Sequence, residues 1–195
     1  MALWGTSDAD ESKPKNLTTA EKKEVFANNS GWVREAGSIW SGNDNTAADP
    51  EVLVEVSGLA DSIGAADVTE VEWITSTADK SAGFTLSVRV RWNEAVTVTG
   101  NPTLAVTNGN QGSGSGRGPH TLVYASGTGT NDLVFSLAIA AANAATNAND
   151  VLSIGAQTIA LAGGTIKDTA DGTTVSARAI SGTQGTAAGT VTVVA

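Results

Sequence analysis

The stretch FTLSVRVRW, residues 84–92, decides the architecture, because Phe84, Leu86, Val88, Val90 and Trp92 alternate with Thr85, Ser87, Arg89 and Arg91. Successive side chains of a strand point to opposite faces, so this spacing predicts a strand with one apolar face and one polar face. VTEVEWITS (68–76) before it has similar character. LVFSLAIA (133–140) after it places Leu133, Phe135, Leu137 and Ile139 on one side. Shorter apolar runs recur at 96–98, 103–107, 121–125, 151–154, 158–161 and 190–194. Between them stand NPT (101–103), NGNQGSGSGRGP (108–119), SGTGTND (126–132), AGG (162–164) and TADGTT (169–174). Short strands divided by Gly, Asn and Pro predict an all-β, antiparallel β-sandwich over residues 68–195. The Ala-rich AIAAANAATNAND (138–150) is read as a loop or single turn, since Asn and Thr interrupt its helical preference.

The chain has 195 residues, of which 41% are apolar, enough for a core of ordinary size. It lacks cysteine, so packing and hydrogen-bonded ladders must supply its stability. The first residues show no basic patch followed by an apolar run, and no apolar stretch is long enough to span a bilayer. Neither a signal peptide nor a membrane partner is expected.

Charge is unevenly placed. The formal net charge is −9, and Asp44, Asp49, Glu51, Glu55, Asp61, Asp67, Glu70, Glu72 and Asp79 fall in a stretch without Lys or Arg. The remainder nearly cancels. A basic face for phosphate is absent, which argues against nucleic acid as a partner. The acidic run reads as a solvated surface or linker, with a dock for a basic surface or for cations as the alternative. Composition therefore divides the chain into an arm (1–45), an acidic connector (46–67) and the β domain (68–195).

The opening MALWGTSDADESKPKNLTTAEKKEVF isolates Trp4 among small and charged residues. A packed Trp hides roughly 150–250 Å², so either a core or a partner should reach it. Thr18 and Glu21 match a capping box, which predicts a short helix over LTTAEKKEVFAN (17–28), with Pro14 favouring an extended approach. GWVREAGSIW (31–40) then carries Trp32, Val33, Ile39 and Trp40 in a stretch too short for a core of its own. The indoles alone cannot offset the entropy of ordering about 40 backbone residues. Backbone pairing must help, either with the sandwich of the same molecule or with a neighbour's sheet edge. Trp4, Pro14, Leu17, Phe26, Trp32, Val33, Ile39 and Trp40 are the candidate partner-binding residues.

Three blocks, WNEAVTVTGNPTLAV (92–106), YASGTGTNDLVFSLAI (124–139) and LAGGTIKDTADG (161–172), resemble in order the Ig-like repeat of large bacterial surface adhesins. Trp92 and Asn93 stand where that family usually has Phe and Ser, and Thr173 replaces Asn in its closing turn. The resemblance implies an Ig-like sandwich rather than an activity. WGTSDADESKPKNLTTAEKKEVF (4–26) followed by GWVREAG (31–37) is similar to the amino-terminal segment of small virion proteins in tailed phages of marine cyanobacteria. That second resemblance implies assembly on a particle.

Enzymatic chemistry finds little support. His120 is the single histidine and reads as a surface residue at a strand start, and neither a nucleophile elbow nor a phosphate loop occurs. GNQGSGSGRG (109–118) has no following helix or Lys-Ser pair and reads as a hairpin loop. Asp168 and Asp171 form a D-x-x-D-G turn that would suit calcium, or that bonds its own backbone. No cofactor is expected. The sequence thus points to a non-enzymatic phage virion protein, most directly a capsid decoration protein bound to the major capsid protein or other virion proteins. A neck, tail or fibre position, self-association, and binding of host-surface glycans through loops 108–120 and 126–132 are the alternatives.

Overall fold

A computed structural model describes residues 13–109 and 119–195. In chain order the strands are β1 (Val25–Asn28), β2 (Gly31–Arg34), β3 (Glu51–Glu55), β4 (Val68–Trp73), β5 (Ala78–Asp79), β6 (Phe84–Thr99) and β7 (Thr103–Gly109). They continue as β8 (His120–Ser126), β9 (Thr130–Ile139), β10 (Val151–Ser153), β11 (Gln157–Thr158), β12 (Thr165–Asp168) and β13 (Ala179–Ile180). Helix α1 (Gly182–Ala188) and β14 (Thr190–Val194) close the chain. The protein is all-β, with its strands wrapped as a sandwich about a shared core.

The alternating stretch is the first half of β6, with Leu86, Val88, Val90 and Trp92 fully buried. This half lies between β4 and β9, both antiparallel to it, with Trp73 and Leu133 among the partners of its core-facing residues. The strand then continues past Trp92 for another turn of pairing. Its second half takes β12 as partner, Val96 opposite Asp168 and Thr99 opposite Thr165. Two threonine pairs, Thr97 with Thr169 and Thr99 with Thr165, add hydroxyl contacts of 2.8 Å across that seam.

From β9 the ladder runs through β8, β7, β10 and β14 to β5, while β11 and β13 form a separate pair. Pairing is antiparallel except for β14 with β5 and for the single register point joining β1 to β6, so the sheet is not wholly antiparallel. Leu104, Leu122, Phe135, Leu152, Ile166 and Val193 fill the core from successive strands. Trp92 closes one part of it, its indole N–H donating to Ala177 O at 2.8 Å. Burying an aromatic this size with its one donor satisfied avoids the desolvation cost of an orphaned N–H.

Helix α1 covers the β4 side. Ser181 caps it, accepting from Gln184 N at 3.2 Å while the Gln184 amide oxygen accepts from Ser181 N at 2.7 Å. The other arm of Gln184 donates to Val68 O at 2.8 Å, pinning the helix to β4.

Residues 13–63 differ most from the sequence expectation. Thr18 and Glu21 do exchange the hydrogen bonds of a capping box, yet only a 3-10 turn (Glu21–Glu24) follows, and Val25–Asn28 is strand. β-branched and aromatic side chains after the turn favour a pleated ladder, and β2 offers one, with Ala27 opposite Trp32. The segment expected as an acidic connector supplies β3, which pairs with β2, and a 3-10 turn at Leu59–Asp61. Val25, Ala27, Trp32, Leu59 and Ile63 form a small second core. A boundary at 45 therefore falls inside one packing unit. Gly31 sits at φ 129° against Val54 O, a close approach that a Cβ would block.

Candidate partner-binding face

The unit 13–63 is held to the sandwich along β6. Val90, Arg91 and Trp92 are consecutive and all buried, which a strand achieves only when both faces are covered. The sandwich core covers Val90 and Trp92; on the opposite face, the first unit covers Arg91. The Arg91 guanidinium lies 3.4 Å from Glu35, 3.3 Å from Glu70, 3.5 Å from Glu72 and 3.2 Å from Asp132. Burial works against its charge, but Asp132, Glu35, Glu72 and Glu70 outweigh that and hold its pKa above the ordinary arginine value. Asp132 is pushed up to about 6 by burial and by Glu35, against the pull of Arg91 and Arg89. Lys13 is brought down to about 8 by burial, partly opposed by Glu35 and Glu70. Asn131 donates to Glu35 at 2.9 Å, and Lys23 pairs with Glu70. Side chains from both units thus share one charge network.

A second acidic group lies where β1 meets β6. Glu94 is fully buried at the register point with Ala27, and among the described residues neither carboxylate oxygen has a hydrogen-bond partner. Burial, then Asp168, Asp67, Asp171 and Asp61, push its pKa up to about 9, so it is protonated at neutral pH. Asp168, also buried, is raised chiefly by desolvation. Its Oδ1 accepts from Ala170 N at 2.7 Å, and Asp171 Oδ1 accepts from Thr173 N and Thr174 N at 2.7 and 2.8 Å. The D-x-x-D-G turn spends these oxygens on its own backbone. Among the described residues no group of three or more His, Asp or Glu is placed to hold a metal ion. His120, expected at the surface, is buried with Nε2 3.2 Å from Thr146 Oγ1, and desolvation lowers its pKa. The flanking apolar alternation of β8 carries it inward.

The candidate partner-binding residues separate by exposure. Trp4 lies outside the described residues, as does the part of the 108–120 loop at 110–118. Pro14, Trp32 and Val33 are buried within the chain itself, so none of these three presents a surface to a partner in this conformation. The physical reason is the β1–β2–β3 meander, whose ladder and small core give Trp32 an internal site that the sequence distance conceals. Leu17 and Phe26 are half-buried. Of the seven candidates among the described residues, only Ile39 and Trp40 are exposed, at 80% and 45%.

Sequence reasoning missed Val52, 52% exposed on β3. The apolar run Val52–Val54 in EVLVE (51–55) marks a strand but does not show which of its residues faces solvent. Arg34 joins Val52's strand to the exposed loop, donating to Trp40 O at 3.0 Å and to Glu51 at 3.1 Å. A shallow cavity of about 240 Å³, lined by Glu35, Gly37, Asn43, Asp49 and Glu51 among others, lies between them. Glu35, Asp49 and Glu51 make its lining acidic.

Compared with models of known protein families, with curated proteins and with solved structures, this chain matches none. Among the described residues no helix is long and apolar enough to cross a membrane.

Proposed function

We propose that this chain is a non-enzymatic structural protein of a phage virion, a capsid decoration protein whose unit 13–63 anchors it and whose Ig-like domain 68–195 it displays. One observation carries the anchoring role: Ile39 and Trp40, adjacent on the loop after β2, are exposed at 80% and 45% while Val25, Trp32, Val33 and Leu59 of the same unit are buried. An indole and an isoleucine left in water on one loop, with Asp44 and Asp49 on the same loop, are what a protein interface uses as anchors. The two sequence resemblances support the virion setting. The shared charge network at Arg91 suits a part that must hold its display domain at a fixed angle.

Mass spectrometry of purified particles, with copy number, tests the assignment. Hundreds of copies per particle are expected for shell decoration; a few or a dozen place the protein at the neck or tail, and its absence from particles overturns the reading. An Ile39→Ser, Trp40→Ser double variant should fold normally and fail to join particles.

A further inference from the structure

We propose that the free edge of β3 accepts an extended, lysine- or arginine-bearing segment of another protein as an added strand. The inference rests on the anchoring role assigned to this unit above.

Strand β3 ends the ladder β3–β2–β1–β6, and among the described residues it pairs only with β2. An edge strand presents unpaired N–H and C=O groups, a template for strand addition. Natural edges are blunted by charged side chains, above all lysine, by proline or by a covering element; EVLVE has no lysine or proline, and its only charges are the acids Glu51 and Glu55. Val52 offers an apolar contact on that edge.

Charge selects the occupant. Asp44, Asp49 and Glu55 are exposed and, among the described residues, make no ion pair, while Glu51 shares the one nearby cation, Arg34, with Glu21. A second copy of the chain is a poor fit, because antiparallel pairing of EVLVE with itself about Leu53 sets Glu51 against Glu55 twice. The chain's own residues 1–12 are equally mismatched, carrying Asp8, Asp10 and Glu11 and no Lys or Arg. A basic strand places its cations opposite Glu51 and Glu55 and an apolar residue by Val52.

The test titrates the full ¹⁵N-labelled chain with an acetylated, amidated heptapeptide alternating lysine and valine, and with the same peptide carrying a central proline. Saturable amide shifts confined to residues 36–58, weakened by salt and lost with the proline peptide, are expected. Val52→Lys, at an exposed position, should keep the fold and lower affinity at least about tenfold. Absence of saturation, shifts centred elsewhere, equal binding of the proline peptide, or unchanged binding by Val52→Lys would each overturn the proposal. Particle incorporation is scored separately. Incorporation of Val52→Lys at normal copy number sinks the edge while leaving the anchor intact, whereas peptide binding by a chain absent from particles sinks the anchor alone.

Discussion

Glu35, on the loop after β2, and Arg91, in the middle of β6, meet at 3.4 Å across the seam between the two units. They are distant in sequence, and both side chains are largely shielded, 18% and 8% exposed. The contact makes the first unit part of the electrostatic balance of the sandwich.

Removing the cation should therefore be costly. Arg91→Ala leaves Glu35, Glu70, Glu72 and Asp132 facing one another in a shielded site, and a loss of about 3–5 kcal/mol is expected from breaking such a pair on one side. Glu35→Gln keeps a polar partner and removes one like charge, so it should cost about 1 kcal/mol. Urea unfolding of both variants measures the difference. Equal midpoints would show that Arg91 does not hold the seam.

Glu94 gives a pH dependence of unusual sign. Its value in the folded protein, about 9, lies above the ordinary 4.5, so the folded chain holds a proton that the unfolded chain releases. The contribution of this carboxyl is fully present below the unfolded value and declines as pH rises toward the folded one, by at most about 1.4 kcal/mol per pH unit. Glu94→Gln should match the parent at the acid end of that window and become progressively more stable than it toward the alkaline end. Thermal melts across the window would show parallel curves if the carboxyl were solvated instead.

Trp32 is fully buried, and among the described residues its indole N–H has no hydrogen-bond partner. Trp32→Phe drops that donor while retaining most of the ring, so its cost should be small, below about 1.5 kcal/mol. Trp32→Ala opens a cavity and should cost about 3–5 kcal/mol. Calorimetry on the pair separates the packing contribution from the polar one. Equal losses would mean that the N–H finds a partner after all.

How far the sequence discloses this molecule depends on the range of the interaction. The period of two in FTLSVRVRW is local, and it locates the first half of β6 and its buried face directly. What Arg91 does is not local: its partners come from Glu35, from β4 and from β9, so a side chain on the nominally polar face lies under a second layer. The pair Thr18 and Glu21 forms the bonds its spacing predicts, yet long-range pairing of Val25–Asn28 with β2 overrides the helix beyond them. Helix α1 had a readable start in Ser181 and Gln184, but the glycines of GTQGTAA obscure it. Of the candidate surface, Ile39 and Trp40 were legible as apolar residues without company. Val52 was not, because nothing in the chain order announces that β3 would be an edge.

Strand β6 also dictates an order of events during synthesis. Its partners span from β1 near the beginning to β12 far downstream, with Ala27 opposite Glu94 and Asp168 opposite Val96. Contacts of such long separation slow chain assembly, and the leading residues leave the ribosome before the strand that must receive them exists. Residues 13–63 should therefore acquire protection from solvent exchange only after β6 has emerged, which pulse-labelled nascent chains of increasing length would reveal. A molecule built this way completes its first-made segment late, so incomplete chains lack the packed surface of the finished one.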